Sequence, residues 1–461
     1  MKLYNTLTRT VEEFIPREEG KVKLYTCGPT VYSYAHIGNI RNYIGHDILD
    51  KTLRYLGYEV TRCMNITDVG HLTSDSDSGE DKMIKAMRKE NKTALEIADF
   101  YTEAFFKDFK LVNNRMPEYI SKATDNIDEY IKIITKLLDK GYAYINENVY
   151  FDTTKLSDYY VLTNHKEDEM VVGVREGVEE DSNKKNQNDF VLWFTSSKFE
   201  NQELQWDSPW GRGYPGWHIE CTGISIKYLG EYLDIHGGGV DNIFPHHTNE
   251  IAQSEGYLGH PWCHYWFHNE HLLDETGKMS KSKGAILTVS SLKEAGYDPL
   301  AFRFMCLNSH YKKQLVFSYE ALKQNEDTLN KLRDRINNIV DDNNYSLEDF
   351  NKYNDLFKEA LSDNLNTANA LTVLYDVLKS DISSNTKLEL IKSFDKVLSL
   401  DLIKEKEISK ELEDKVNSLL ELRNKYKLEK NYEQADEVRK EIEVLGATIK
   451  DTREGSIIIW N

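Results

Sequence analysis

The chain has 461 residues, of which 58 are Lys or Arg and 77 are Asp or Glu, so its formal net charge is −19. This length predicts roughly three folding units. The acidic balance excludes nucleic-acid binding through overall charge, so any such binding needs a local basic patch. No apolar run is long enough to cross a bilayer, and the first residues lack the order of a secretory signal. We therefore expect a cytoplasmic protein with no membrane partner.

The first part of the chain predicts a strand, a helix and a second strand. Residues 22–27 have strand character, and a helix begins near His36 or Gly38. Gly57 stands where this helix is expected to end, and strand character returns over 58–66. A βαβ unit of this kind predicts a parallel sheet that handles a nucleotide.

The rest of the chain alternates between helical and strand-like blocks. Residues 82–140 have mostly helical periodicity, whereas 141–194 contain short Tyr-, Val- and Phe-rich runs around a polar stretch. Strands and glycines return from about 205 to 290, so we interpret the block between as an insertion that splits the sheet. After about 318 the chain is nearly all helical and closes with a short hairpin.

These elements predict an α/β fold. A Rossmann-like parallel-sheet domain is split by an insertion and followed by a helical bundle and a small C-terminal domain. The predicted boundaries are 1–120 and 205–317 for the two halves of the sheet domain, 121–204 for the insertion, 318–400 for the bundle and 401–461 for the C-terminal domain.

Three segments have the residue types that bind phosphates or nucleosides. His36 stands where a loop feeds a helix, whose first backbone N–H groups attract a phosphate; its alternative role is to cap the helix. Lys278 and Lys281, between hydroxyls and glycines, suit a loop that closes over a polyphosphate, or a solvated basic loop. Gly237 and Gly238 follow a strand and either admit an adenosine or form only a turn.

A fourth group of residues has the chemistry of a zinc site. His246 and Glu250 are four residues apart, so a helix beginning after Pro245 places both side chains on one face. Cys27 and Cys221 would complete a shell of two thiolates, an imidazole and a carboxylate. Buried structural cysteines and a surface His/Glu pair are the alternative. The cysteines are widely scattered and odd in number, which favours reduced thiols or metal ligands over disulfides.

Taken together, these segments resemble the cysteinyl-tRNA synthetases, a family of class I aminoacyl-tRNA synthetases. The resemblance extends through nearly the whole chain, because many motifs recur in one order. They are residues 25–32, 36–39, 65–68, 216–221, 234–239, 244–250, 278–282 and 363–370.

The resemblance implies one zinc ion per subunit, which binds the thiolate of the substrate. Serine and cysteine differ by one atom, so an apolar pocket separates them poorly, whereas zinc strongly prefers sulfur. The family pattern places Thr67 and Trp217 around the bound amino acid. The implied zinc ligands are Cys27, Cys221, His246 and Glu250.

The resemblance also implies the reaction. L-Cysteine would attack ATP, accompanied by Mg²⁺, to give cysteinyl adenylate and pyrophosphate; cysteine would then pass to the 3′ terminal adenosine of tRNA(Cys). The attacking carboxylate is already ionised at pH 7, so no protein base is needed. Phosphate contacts are implied for His36, Asn39, Lys278 and Lys281, and adenosine contacts for Gly237, Gly238 and Asp241. Asn39 replaces the His of the broader class signature, and it still donates a hydrogen bond.

The C-terminal segment 401–461 resembles the anticodon-binding part of the family. Tyr432 would stack on an unpaired base, and Asp436 or Asp451 would bond to base edges. In the alternative, Tyr432 caps a helix and both aspartates are solvated. We expect a monomer, and we interpret residues 69–81 as a loop rather than a lid.

Two other functions remain open at this point. A related ligase that hands activated cysteine to an aminosugar would resemble the catalytic half, but the C-terminal segment argues against it. A catalytically silent RNA-binding or regulatory paralogue would have no reason to keep Cys27, His36 and Lys278 together.

Overall fold

The structure is a computed structural model, and it describes residues 1–69, 92–163, 181–195, 204–274, 277–278, 286–403, 410–452 and 455–460. The chain divides into two compact units, Met1–Ile403 and Lys404–Asn461. Within the described ranges, no helix combines the length and apolar character that a bilayer crossing requires. The domain boundaries drawn from the sequence inside the first unit stay predictions.

The first unit contains strands and helices that we number in chain order. The strands are β1 Lys2–Asn5, β2 Thr10–Glu13, β3 Lys21–Thr26, β4 Glu59–Ile66, β5 Tyr119–Lys122, β6 Ala143–Asn146, β7 Asn148–Phe151, β8 Phe190–Phe194, β9 Tyr214–Pro215, β10 Leu233–Gly239, β11 Cys263–Asn269, β12 Leu272–Asp274, β13 Gly277–Lys278 and β14 Leu315–Val316. The helices are α1 Ile37–Tyr55, α2 Ala94–Leu111, α3 Ile127–Asp139, α4 Trp217–Leu229, α5 Thr248–Leu258, α6 Val289–Glu294, α7 Pro299–Leu307, α8 Tyr319–Asn337, α9 Leu347–Ser362, α10 Thr367–Lys379 and α11 Ser384–Leu398.

A parallel sheet forms the centre of the first unit, with strand order β11-β10-β3-β4-β5 among the described residues. The strands β3, β4 and β5 precede the insertion in sequence, and β10 and β11 follow it. The strand order therefore reverses between β3 and β10. In open parallel sheets, ligands bind in the crevice beyond the carboxyl ends of the strands at such a point. This confirms the predicted Rossmann-like sheet split by an insertion.

Helix α1 follows β3 and covers the sheet, as the sequence predicts. Ile40, Ile44 and Ile48 recur every four residues and are all buried. Each such side chain contributes about 2 kcal/mol relative to an exposed one. The helix ends before Gly57, whose φ of 98° belongs to the left-handed region that glycine adopts without strain.

The strands β6, β7 and β8 of the predicted insertion form an antiparallel sheet with β9, which follows the predicted end of the insertion at residue 204; the strand order is β6-β7-β8-β9. Aromatic residues on neighbouring strands contact one another, and the rings of Phe151 in β7 and Phe190 in β8 stack at 5.1 Å. The described part of 82–140 is mostly helical, as predicted, and the strand β5 is an element that the sequence did not indicate. This strand has only four residues, and Tyr119 and Ile120 are exposed, so no buried apolar alternation marks it in the sequence.

The region after residue 318 is helical, as predicted, and α8 to α11 pack through apolar side chains such as Phe357 and Phe394, whose rings stack at 4.0 Å. The second unit contains helices α12 Lys410–Leu428 and α13 Tyr432–Val444 and the hairpin strands β15 Ala447–Thr452 and β16 Gly455–Trp460. The apolar residues Ala435, Val438 and Ile442 of α13 are buried. The predicted closing hairpin is confirmed.

Candidate active site

A cavity of about 220 Å³ opens where β3 and the loops around β10 meet. Its position is the crevice that the reversal of strand order predicts. The cavity brings together residues that are up to 219 positions apart in the sequence. The predicted site residues that line it are Cys27, Asn39, Thr67, Trp217, Cys221, Asp241 and His246.

Four predicted metal ligands converge at the base of this cavity. Cys27 follows β3, Cys221 lies in α4, His246 lies in the turn before α5, and Glu250 lies in α5. Their ligand atoms all lie within 4.8 Å of one another, and all four residues are buried. The Sγ atoms of the two cysteines are 4.0 Å apart, and His246 Nε2 lies 3.5 Å from Cys221 Sγ. Two thiols, an imidazole and a carboxylate are a donor set that zinc accepts.

The polar atoms of this cluster are suited to a cation. Glu250 Oε1 is buried and makes no hydrogen bond within the described part of the chain, although His246 Nε2 lies 2.9 Å away. Burial opposes ionisation of Glu250, but His236 and His246 lower its pKa to about 2. Burial raises the pKa of Cys27 and of Cys221. A divalent cation reverses the effect on the thiols, because the thiolate is the form that binds metal.

A second set of possible ligands overlaps the first. Cys27, His236, His247 and Glu250 also have ligand atoms within 4.8 Å of one another. His236 Nε2 lies 2.7 Å from Glu250 Oε2, and His247 Nε2 lies 3.2 Å from Cys27 Sγ. Sequence reasoning missed these two histidines as site residues. The only signals available were the adjacent pair His246-His247 and the position of His236 directly before the glycines, which the structure places inside β10.

Further histidines surround the cluster at hydrogen-bond distance. His218 Nδ1 lies 2.9 Å from His246 Nδ1, and His247 Nδ1 lies 2.8 Å from His268 Nε2. Burial lowers the pKa of His218 and of His247, and burial with the nearby His236 lowers that of His268 to about 3. These imidazoles are therefore neutral at pH 7. Neutral outer histidines orient metal ligands without adding charge.

Trp217 and Thr67 border the cavity beside the cluster. The Trp217 indole stacks on the ring of His246, with centroids 4.1 Å apart and planes at 26°. Thr67 follows β4 and is almost completely buried. Trp217 therefore contacts a predicted metal ligand, and Thr67 lines the same cavity.

His36 and Asn39 form a reciprocal cap at the start of α1. The backbone N–H of Asn39 donates to His36 Nδ1 at 3.2 Å, and the backbone N–H of His36 donates to Asn39 Oδ1 at 3.1 Å. Gly38 is required here, because a Cβ at this position would lie 2.8 Å from His36 Nδ1. A neutral imidazole that accepts at Nδ1 has its hydrogen on Nε2. The cap uses Nδ1, and the predicted donation to a phosphate would use Nε2.

Gly237 and Gly238 are buried and leave no room for side chains. A Cβ on Gly237 would lie 2.9 Å from His46 Nε2, and one on Gly238 would lie 2.6 Å from His247 Cε1. Packing against these two rings accounts for both glycines without a ligand. Their predicted contact with adenosine stays a prediction.

Of the remaining residues predicted to bind the nucleotide, the structure describes Asp241 and Lys278 but not Lys281. The carboxylate of Asp241 is half exposed and lies 3.4 Å from His271 Nδ1. Lys278 lies in β13, paired with Leu273 in β12. Lys281 and residues 70–81 lie outside the described residues, so the predicted polyphosphate loop and the predicted loop after Val69 stay predictions.

The second unit contains the residues predicted to contact an anticodon. Tyr432 is the first residue of α13 and is 62% exposed. Asn431, and not Tyr432, caps this helix, because its side chain accepts from the N–H of Gln434. Asp436 is exposed one turn further along the same face. Asp451 lies in β15.

Comparisons with known proteins agree with the fold. Residues 13–327 match the family described as tRNA synthetases class I (C) catalytic domain. A cysteine–tRNA ligase of Treponema denticola is 45% identical over 485 residues, which cover 98% of this chain and 98% of that protein. Cysteine–tRNA ligase 1 of Burkholderia lata is 40% identical over 457 residues, which cover 99% and 96%.

Among solved structures, methionyl-tRNA synthetase of Mycobacterium tuberculosis in complex with methionyl-adenylate aligns with a TM-score of 0.55 and 14% identity, covering 82% of this chain and 90% of that one. At this identity the likeness shows the fold alone. The split parallel sheet, the site at its switch point and the matched residues define a class I aminoacyl-tRNA synthetase. Within that class, the chain belongs to the cysteine–tRNA ligase family. The family expected from the sequence is confirmed.

Proposed function

We propose that this protein activates L-cysteine with ATP and transfers it to the 3′ terminal adenosine of tRNA(Cys). The observation that carries the proposal is the convergence of Cys27, Cys221, His246 and Glu250 at the base of the cavity. A ligand set with two thiols binds a soft metal well, and a soft metal binds the sulfur of a substrate in preference to an oxygen. The relatives that cover nearly the whole chain are named as ligases of the same amino acid.

Cys27, Cys221, His246 and Glu250 would hold one zinc ion, and this donor set fits the ion. Bound there, zinc supplies a strong preference for a sulfur ligand over the oxygen of serine. Glu250 provides one carboxylate oxygen that makes no hydrogen bond within the described residues. His236 at 2.7 Å orients the other oxygen. The alternative set through His236 and His247 shares Cys27 and Glu250 with the first.

The start of α1 would bind the phosphates of ATP. The first backbone N–H groups of this helix and the Nε2–H of His36 offer donors to phosphoryl oxygens. Asn39 lines the cavity and holds His36 through the reciprocal cap. The cysteine carboxylate is ionised at pH 7, so the protein positions the reactants and stabilises charge instead of removing a proton.

The proposal also assigns residues to adenosine and to pyrophosphate. The proposal assigns the adenosine to Gly237, Gly238 and Asp241, of which Asp241 lines the cavity. It assigns the departing pyrophosphate to Lys278 and Lys281, with Mg²⁺ accompanying ATP. This part of the proposal is supported by the residue types and by the family.

The second unit would read the anticodon. Tyr432 and Asp436 present an exposed aromatic ring and an exposed carboxylate on one face of α13, and Asp451 lies in the hairpin that follows. Aromatic rings stack on the splayed bases of RNA loops, and carboxylates accept from base amino groups. Lys425, in the last turn of α12, adds local positive charge in an acidic protein.

A two-stage assay tests the proposal. The first stage measures cysteine-dependent exchange of labelled pyrophosphate into ATP, with serine as the control amino acid. The second stage measures transfer of cysteine to tRNA(Cys) transcripts, with an anticodon-substituted transcript as the control. Absence of exchange would refute the activation step. Exchange without transfer would refute the RNA acceptor and would favour a small acceptor molecule instead.

A further inference from the structure

A small three-stranded sheet connects Lys278 with the start of α1. Its strand order among the described residues is β13-β12-β14, and Lys278 in β13 pairs with Leu273 in β12. The strand β12 packs on the first turn of α1, because Leu272 is buried and a Cβ on Gly38 would lie 3.7 Å from Leu272 Cβ. The position of β12 on α1 therefore sets the position of the Lys278 backbone relative to His36.

Arg41, in the second turn of α1, binds this sheet through two backbone carbonyl groups. Its Nη1 donates to the carbonyl of His271, which directly precedes β12, and its Nη2 donates to the carbonyl of Lys313, which precedes β14. The His271 carbonyl also accepts from the N–H of Leu315, the first residue of β14, at 3.2 Å. A guanidinium presents its donors as a planar fork, so this one side chain fixes both strands to α1.

The burial of Arg41 makes the fork hard to replace. The residue is 5% exposed, and burial lowers the pKa of its guanidinium. A buried charged group costs free energy unless its donors are satisfied, and here backbone carbonyls accept from it. Lysine at this position would keep the positive charge but would lack the planar fork that reaches both carbonyls.

Two further contacts join this region to the residues predicted to bind the nucleotide. His271 Nδ1 lies 3.4 Å from Asp241 Oδ1, so the residue whose carbonyl Arg41 binds also faces a residue predicted to bind adenosine. The N–H of Ile37, the first residue of α1, donates to the carbonyl of Leu287 at 2.9 Å. The start of α1 thus contacts chain segments that precede and follow the two predicted lysines in sequence.

We infer that Arg41 is a positioning residue that holds Lys278 in place relative to the start of α1 for the departure of pyrophosphate. The inference rests on the proposed function, in which His36 binds the phosphates of ATP and Lys278 binds the departing pyrophosphate. In that step a carboxylate oxygen of cysteine bonds to the α-phosphorus, and the bond from this phosphorus to the bridging oxygen breaks. Pyrophosphate leaves with the electron pair. Because negative charge on the leaving group grows as the bond breaks, displacement of Lys278 slows the reaction more than it weakens ATP binding.

The test measures formation of cysteinyl adenylate in a single turnover by rapid quench, on the zinc-loaded full chain with Mg²⁺. In Arg41→Lys and in Arg41→Gln, we expect the rate to fall about tenfold to a hundredfold, the effect of misplacing a group by about 1 Å. Calorimetry gives the Kd of ATP and of cysteine. Each Kd should change by less than about twofold, because binding of the reactants does not use charge that develops later.

Two comparisons separate position from charge and from general stability. Arg41→Lys keeps the charge, so a role in charge alone would leave its rate close to that of the unmodified protein. Arg333→Lys is the matched control, because Arg333 is a buried guanidinium whose Nε and Nη2 both donate to the carbonyl of Leu400, after α11. Its rate should not change. Metal content by elemental analysis and a thermal melt accompany every variant.

A double variant tests whether Arg41 acts through Lys278. If it does, R41K/K278A should form adenylate no more slowly than Lys278→Ala alone. Losses that multiply in the double variant would show that Arg41 acts on another part of the site. If Arg41→Gln does not fold, Arg41→Lys and the double variant provide the test.

The outcomes fall into three groups. Slower adenylate formation with unchanged Kd values and no added loss in the double variant supports the inference. A full rate in Arg41→Lys or in Lys278→Ala, losses that multiply, a Kd that rises as much as the rate falls, or failure of both Arg41 variants to fold overturns it and leaves the proposed function intact. If the unmodified protein forms no adenylate, the proposed function fails, and this inference fails with it.

Discussion

Replacement of His236 by Phe should weaken zinc binding without emptying the site. The phenyl ring retains the packing of the imidazole, which stacks on Trp266 at 4.7 Å and meets the edge of Tyr25 at 5.1 Å. The substitution deletes the 2.7 Å contact with Glu250 Oε2. Both side chains are fully buried, so water cannot replace the missing partner.

The expected magnitude follows from this geometry. A hydrogen bond to a charged group contributes about 1.5 to 3 kcal/mol, and loss of a group that orients a ligand typically costs about tenfold to a hundredfold in metal affinity. The two figures agree, because about 1.4 kcal/mol corresponds to a factor of ten. Replacement of His246, a member of the predicted ligand set, should cost far more.

The assay measures zinc retention during competition with a chelator of known affinity, with elemental analysis at each step. The unmodified protein, His236→Phe and His246→Ala are compared, and near-ultraviolet circular dichroism checks that each is folded. Unchanged zinc affinity in His236→Phe would refute the orienting role. A larger loss in His236→Phe than in His246→Ala would show that the ion uses the second set, through His236 and His247.

Further predictions concern the metal and the nucleotide. Cys221→Ser should lose zinc and raise the KM for cysteine far more than the KM for ATP in pyrophosphate exchange; equal increases would contradict contact between metal and substrate. Burial raises the pKa of the Cys27 and Cys221 thiols, so both are protonated without metal and must lose a proton to bind it. Zinc affinity should therefore rise as pH increases from 6.5 to 7.5, by up to about tenfold per thiol; a zinc titration with a pH-sensitive dye checks this, and a flat profile would disprove it. Lys281→Ala should slow adenylate formation in rapid-quench experiments without changing the Kd of cysteine, and an unaltered rate would exclude a role on the departing pyrophosphate.

The sequence predicts those parts of the structure that depend on local patterns. The periodicity of Ile40, Ile44 and Ile48 locates α1, and Gly57 locates its end. The strand β5 has no such pattern, because it is short and two of its residues are exposed. Its place at the sheet edge depends on pairing with β4, which is a tertiary contact.

The candidate site divides in the same way. Motifs in a fixed order predict Cys27, Cys221, His246 and Glu250 as metal ligands, because proteins that share these motifs share the fold that brings the four residues together. The contact of Thr67 with Glu220 spans 153 positions, and no spacing rule connects residues so far apart. The contact behind the proposed orienting role of His236 cannot be predicted from the sequence either, since it depends on which oxygen of Glu250 faces the imidazole. Donor and acceptor directions are properties of the packed molecule.

The ligand cluster draws on both halves of the divided sheet. Cys27 precedes the insertion, whereas Cys221, His246 and Glu250 follow it. A ribosome must therefore synthesise more than half of the polypeptide before a complete ligand set exists, and a chain whose halves mispair never forms one. The metal content of a purified preparation would then measure the fraction of molecules that have assembled correctly, which gives a quality control for every kinetic comparison above.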